Sequence, residues 1–153
     1  MKILLATDGS PSSEAAIQEV ASGHWPAETE IEVLTVVHTH FPFVPDPIFV
    51  LAASHETLLE EARRKAPEII EKAARQIRTQ APQLRVVTKI LEGTPKEMIV
   101  EEAERWGADT IVLGSHGYGP VRRFLLGSVA HAVALYAPCT VQIVRPRLSA
   151  PRT

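Results

Sequence analysis

Two short runs, Ile3-Leu4-Leu5 and Ile111-Val112-Leu113, are apolar at every position. Side chains alternate across a strand, so only a central strand covered by helices on both faces can bury such a run completely. Around these runs the chain alternates strand and helix signals. Residues 2–7 read as the first strand. Ser10-Pro11 then supplies an N-cap and a proline for the first helical position, and that helix runs to about Ser22 and ends at Gly23. Residues 31–37 read as the second strand. A long helix follows, with Leu58, Leu59, Ala62, Ile69, Ala73 and Ile77 on one side. Its wet side carries Glu60 with Arg64, Glu68 with Lys72 and Glu71 with Arg75, each pair four apart. Pro67 is expected to kink it, since proline lacks an amide hydrogen and crowds the carbonyl of Arg63. Residues 84–91 read as a strand, Pro95 to Trp106 as a helix, 109–113 as a strand, about 128–137 as a helix and 140–144 as the last strand.

Strands separated by helices require parallel, right-handed crossovers. Arg85 and Lys89 point the same way in strand 84–91, and strand 140–144 includes Gln142, so both read as edges. The order 3-2-1-4-5 satisfies these constraints. The fold class is therefore α/β: a single-domain, three-layer sandwich with a five-stranded parallel sheet in flavodoxin-like order, residues 1–146, followed by a tail at 147–153. The winding direction reverses between strands 1 and 4, and ligands of such sheets bind in the crevice there. The loops that meet at it are Thr7-Asp8-Gly9-Ser10 and the segment starting at Gly114.

That segment reads Gly114-Ser115-His116-Gly117, and nine residues later Gly127-Ser128 opens a helical pattern. Glycine lets a chain take positive φ and approach phosphate oxygens closely, and a helix start offers free amide donors. A strand, a glycine loop and a helix start in sequence point to a nucleotide. The remaining composition narrows the class. A net charge of −2 excludes a strongly basic nucleic-acid footprint, and no apolar run reaches membrane-spanning length. The lone Cys139 allows no internal disulfide and the first residues read as a strand without a cleavage region, which makes the cytoplasm the expected compartment.

The pattern Gly114-x-x-Gly117, nine residues, Gly127-Ser128 is similar to the nucleotide-binding signature of ATP-binding universal stress proteins. The resemblance extends to Asp8 after the first strand, Val36 at the end of the second, Gly107-Ala108-Asp109 before the fourth and Ala137-Pro138-Cys139 before the last, and so covers essentially the whole chain. It implies that Gly114, Gly117, Gly127, Ser128 and Val129 hold the ribose and phosphates of ATP, with Asp8, Val36 and Leu113 around the nucleoside. Backbone donors do not count phosphates, so ADP or AMP fits the same reading, and a divalent cation such as Mg is compatible with the nucleotide. The resemblance also implies homodimers. Strand 140–144 suits this, because it carries no lysine, proline or acid, whereas Arg85 and Lys89 guard the opposite edge.

Other readings of these residues stand beside the nucleotide one. Gly114 and Gly117 serve a tight turn, or Gly127 close helix packing; Ser128 serves as N-cap; Asp8 braces the loop before Ser10; His116 borders a phosphate or faces water. Arg122 and Arg123 read as solvated charges and stay outside the site. His38 and His40 lack the further ligands of a zinc pattern. There is no G-x-x-x-x-G-K-[ST], no dinucleotide fingerprint and no G-x-S-x-G. A regulatory binding module is thus the first reading, and a slow ATPase or nucleotide-dependent phosphotransferase using Asp8 and His116 the alternative. Phe41, Phe43 and Phe49, interspersed with prolines, read as a loop packed on the long helix, a lid or a dimer contact.

Overall fold

The computed structural model describes residues 1–39, 55–117 and 125–147. The readings placed on His40, on the aromatic loop and on Arg122 and Arg123 lie outside those residues. The elements are β1 (Lys2–Ala6), α1 (Pro11–Ser22), β2 (Glu30–His38), α2 (His55–Gln80), β3 (Arg85–Gly93), α3 (Pro95–Trp106), β4 (Thr110–Gly114), α4 (Ser128–Tyr136) and β5 (Thr140–Val144). Their ends differ from the sequence reading by one or two residues, the ordinary play of element boundaries. The sheet order is β3-β2-β1-β4-β5, all parallel, as the doubly apolar runs require. Ile3 pairs with Ile31 on one side and Thr110 on the other, which puts β1 at the centre.

Two apolar layers enclose the sheet. One joins Ile3, Leu5, Ile31, Val33 and Val112 to α1 and α2; the other joins Leu4, Leu34, Ile111 and Leu113 to α3 and α4. Adjacent residues of β1 therefore enter opposite cores, and each fully buried Leu or Ile contributes about 1.5–3 kcal/mol. The buried line of α2 is Ala66, Ile70, Ala73, Ala74 and Ile77. This corrects the expected stripe by one position: Ile69 is half-buried, as are Leu58, Leu59 and Ala62. Both isoleucines lie within a helical turn of Ala73, and contact with the sheet selects Ile70.

The expected on-helix ion pairs also give way to other partners. Lys72 turns to Glu14 of α1 at 3.5 Å, Glu71 takes Arg78 at 3.5 Å, Lys65 takes Glu61 at 2.8 Å and Arg63 grips Glu92 of β3 at 2.7 Å. All are exposed and worth little individually. The helix passes through Pro67 as one continuous element. Lys89 does not guard the β3 edge: its ammonium turns inward to Glu102 of α3 at 2.9 Å, leaving Arg85 as the exposed cation. Between α3 and β4, Gly107 adopts φ 71° and ψ 47°, and the amide of Ala108 reaches back to the carbonyl of Ala103 at 2.9 Å. That left-handed cap turns the chain directly into β4.

Candidate functional site

The site begins with the turn after β1. Ser10 caps α1 through its hydroxyl, which accepts from the amide of Ser13 at 3.2 Å, with Pro11 at the first helical position. Asp8 Oδ1 accepts the amide of Ser10 at 2.9 Å, the bracing role open to it from sequence. Its second oxygen remains directed toward Gly117: a Cβ built there would lie 2.9 Å from Asp8 Oδ2. Asp8 thus braces its own loop and faces the glycine segment at once. Thr7 adds a buried link, donating its hydroxyl to Ser13 Oγ at 3.1 Å, while Thr35 donates to the carbonyl of Thr7 at 3.1 Å.

The glycines act through space rather than backbone angle. Among the described glycines only Gly9, Gly93 and Gly107 have positive φ, so the expected left-handed geometry at Gly114, Gly117 and Gly127 is not what they supply. A Cβ at Gly114 would meet the carbonyl carbon of Ser12 at 2.5 Å, its oxygen at 2.6 Å and the nitrogen of Ser13 at 2.7 Å. Gly114 therefore exists so that the start of α1 can press onto β4, a packing role. Gly127 is the N-cap of α4, with φ −59°; its amide donates to Ser115 O at 2.8 Å, and a Cβ there would lie 3.1 Å from that oxygen and 3.2 Å from His116 Cα. This corrects Ser128 from N-cap to first helical residue. Among the described residues no side chain caps α4 and none accepts from the amides of Ser128 and Val129. Those two donors stand open at a positive helix end.

Between the two loops lies a cavity of about 720 Å³. Asp8, Gly117, Gly127 and Ser128 line its polar end; Val36, Leu113, Gly114 and Val129 line the rest, so the structure gathers all eight sequence-predicted residues around one space. Leu34 of β2, with Pro95 and Ile99 of α3, completes an apolar wall that sequence reading did not name. The available signal was positional: Ile99 is an apolar residue one turn into the helix that leaves the carboxyl end of β3. Leu125 and Leu126, 57% and 36% exposed, stand beside the glycine helix start.

His116 lines the same cavity, so of its two expected settings the one beside the phosphate position stays open. Its Nδ1 lies 3.0 Å from Ser115 Oγ, while Nε2 is sealed from solvent without a hydrogen-bond partner. Its carbonyl accepts from Ser10 Oγ at 3.4 Å, tying the glycine loop to the α1 cap. No group of three His, Cys, Asp or Glu side chains converges on a metal-sized space among the described residues. Cys139, half-buried before β5, has its thiol pushed up by burial, consistent with a small packing residue.

A cavity at the switch point, an uncapped helix start and close-packed glycines coincide with a match to the universal stress protein family over residues 1–145. The chain belongs to that family. It is 36% identical over 147 residues to a universal stress protein of Thermus aquaticus, covering 94% of this chain and 97% of that one. A universal stress protein from Lactobacillus plantarum shares the architecture with a TM-score of 0.73 at 26% identity, over 95% of this chain and 97% of that one. The fold is shared also with a universal stress protein of Arabidopsis thaliana solved with AMP bound, at TM-score 0.64 and 18% identity over 96% and 92% of the two chains. Another member of that fold is a universal stress protein in complex with cAMP.

Proposed function

We propose that this universal stress protein binds an adenine nucleotide, with ATP as the expected ligand, in the crevice between β1 and β4, and acts as a cytoplasmic regulatory module. The observation that carries the reading is the cavity itself, whose apolar wall of Leu34, Val36, Ile99 and Leu113 adjoins open amides at Ser128 and Val129. A purine suits the first and a phosphate the second. The residues present fit the ligand: Gly117, Gly127 and Ser128 sit where oxygens would meet amide donors, and Asp8 faces them with an oxygen suited to a ribose hydroxyl or a nucleotide-bound Mg. Family members solved with AMP or cAMP support the ligand class.

Occupancy that orders the two loops changes the surface around Leu125 and Leu126, which is how a ligand biases one conformation over another. We propose the homodimer through β5 on the same footing, because that strand forms one edge of the sheet. The test is calorimetry with ATP, ADP and AMP, together with mass spectrometry of the natively purified protein. At a hundredfold excess over Kd, a bound nucleotide raises stability by about 2.7 kcal/mol. Gly127→Val should abolish that shift; an unshifted wild-type protein would refute the reading.

A further inference from the structure

Glu32 is the third residue of β2, only 5% exposed, and its Oε1 has no hydrogen-bond partner among the described residues. The face it occupies is the one covered by α3. Glu102 of α3, 3% exposed, meets it there, and the nearby cations bond to Glu102 instead: Lys89 Nζ reaches both its oxygens at 2.9 Å, and Arg105 donates through Nε at 2.9 Å and through Nη2. Glu32 is left beside the Glu102 carboxyl. Two carboxylates are acceptors only, so a hydrogen bond between them requires a proton. Burial first, then the bond to Glu102 and its charge, push Glu32 up to about 7 against the pull of Lys89 and Arg105. Burial works against Glu102, but bonds from Arg105, Lys89 and Glu32 bring it down to about 2.

The charged groups acting on Glu32 are Glu102 and Arg105 from α3 and Lys89 from β3. β1 places Leu4 beside it, and α4 contributes the apolar Ala130 and Val133 to that core. We propose that the proton shared by Glu32 and Glu102 is a latch that seats α3 on the sheet and so sets the wall of the ligand cavity. Ile99 precedes Glu102 by one helical turn, and Leu34 follows Glu32 by two residues on the same strand face; both line that cavity. When the proton leaves to solvent, an ionised Glu32 faces an ionised Glu102 whose cations are already engaged. Hydrating the orphan oxygen then requires α3 to lift, and Ile99 moves with it.

The link to ligand rests on the nucleotide reading above, whereas the latch itself is readable in the empty protein. Hydrogen exchange of α3 amides, corrected for intrinsic rates and referenced to α1, is compared at pH 6 and pH 8 in wild type and Glu32→Gln. About a tenfold loss of α3 protection at pH 8 is expected in wild type and none in the variant; a flat wild-type profile, or the same loss in both, overturns the latch. Should Glu32→Gln fail to fold, the carbon-13 carboxyl titration of wild type decides, and a Glu32 that ionises below pH 5.5 overturns it. In the ligand arm, ATP affinity should weaken several-fold more between pH 6 and pH 8 in wild type than in the variant. ATP binding with a pH-flat α3 sinks the latch alone; an intact α3 response without ATP binding sinks the nucleotide reading and leaves the latch standing.

Discussion

Gly114→Ala separates the packing role of the first motif glycine from a ligand role. The added methyl would sit 2.5–2.7 Å from three backbone atoms of Ser12 and Ser13, where contact normally begins near 3.5 Å. Roughly 1 Å of movement is therefore demanded. Neither side yields readily: β4 is hydrogen-bonded to β1 and β5, and α1 is pinned by the Ser10 cap. Overpacking of this kind costs about 1–3 kcal/mol, and backbone on both sides places it near the upper end. Gly114 has no positive φ, so alanine recovers about 0.5–1 kcal/mol by restricting the unfolded chain, leaving a loss of about 2 kcal/mol. For a chain of this size that is a fall in Tm of about 4–8 °C. Gly117→Ala is the control, because its methyl meets only the end of the Asp8 side chain at 2.9 Å, which can swing aside. Calorimetry of the two empty proteins should show Gly114→Ala destabilised and Gly117→Ala within about 0.5 kcal/mol of wild type. The reverse ranking, or an unaltered Gly114→Ala, would refute the packing argument.

The Glu32–Glu102 pair gives stability a pH profile with opposing sides. Glu32 is raised to about 7 from 4.5, so its neutral form suits the fold and stability is lost as pH rises from about 4.5 through 7, by about 3 kcal/mol; denaturant unfolding at pH 5 and pH 8 should show the loss, and Glu32→Gln should remove it. Glu102 is depressed to about 2, so its contribution is present above 4.5 and disappears as pH falls from 4.5 toward 2, which an acid titration followed by circular dichroism reads directly. Ser128→Ala should weaken nucleotide binding by about 0.5–1.5 kcal/mol in calorimetry, since the open amides at Ser128 and Val129 remain. Ile143→Pro, placed in the edge strand β5, should convert a dimer to monomer in light scattering; an unchanged, folded dimer would move the interface elsewhere.

The sheet order was legible because burial on both faces is written directly into Ile3-Leu4-Leu5 and Ile111-Val112-Leu113, while Ser10-Pro11 announces its helix by local chemistry alone. The gathering of Asp8, Gly117 and Gly127 followed from topology, since parallel strands deliver their carboxyl-end loops to one side. What sequence did not reveal was how each glycine works, because a Cβ clash such as that of Gly114 with Ser12 depends on a helix placed by long-range packing. Lys89 misled for a related reason. A lysine on an edge strand ordinarily guards it, and only the arrival of Glu102 from the next helix turns the ammonium inward. The choice of Ile70 over Ile69 likewise depends on how α2 rolls on the sheet.

Holding a nucleotide and cleaving it make different demands on this cavity, and the described residues meet the first more fully. Hydrolysis needs an oriented water and a group positioned to stabilise the leaving phosphate. His116, the neighbouring side chain suited to proton transfer, keeps Nδ1 against Ser115 and Nε2 out of reach of solvent, so its visible work is to fix the loop. Asp8 spends one oxygen on the Ser10 amide and offers the other. Binding should therefore outlast any turnover: in single-turnover assays, phosphate release is expected to remain near the uncatalysed rate while ATP stays bound. Release that persists in Gly117→Ala but vanishes in Asp8→Asn would instead show chemistry routed through Asp8, and would favour the slow enzyme over the proposed binding module.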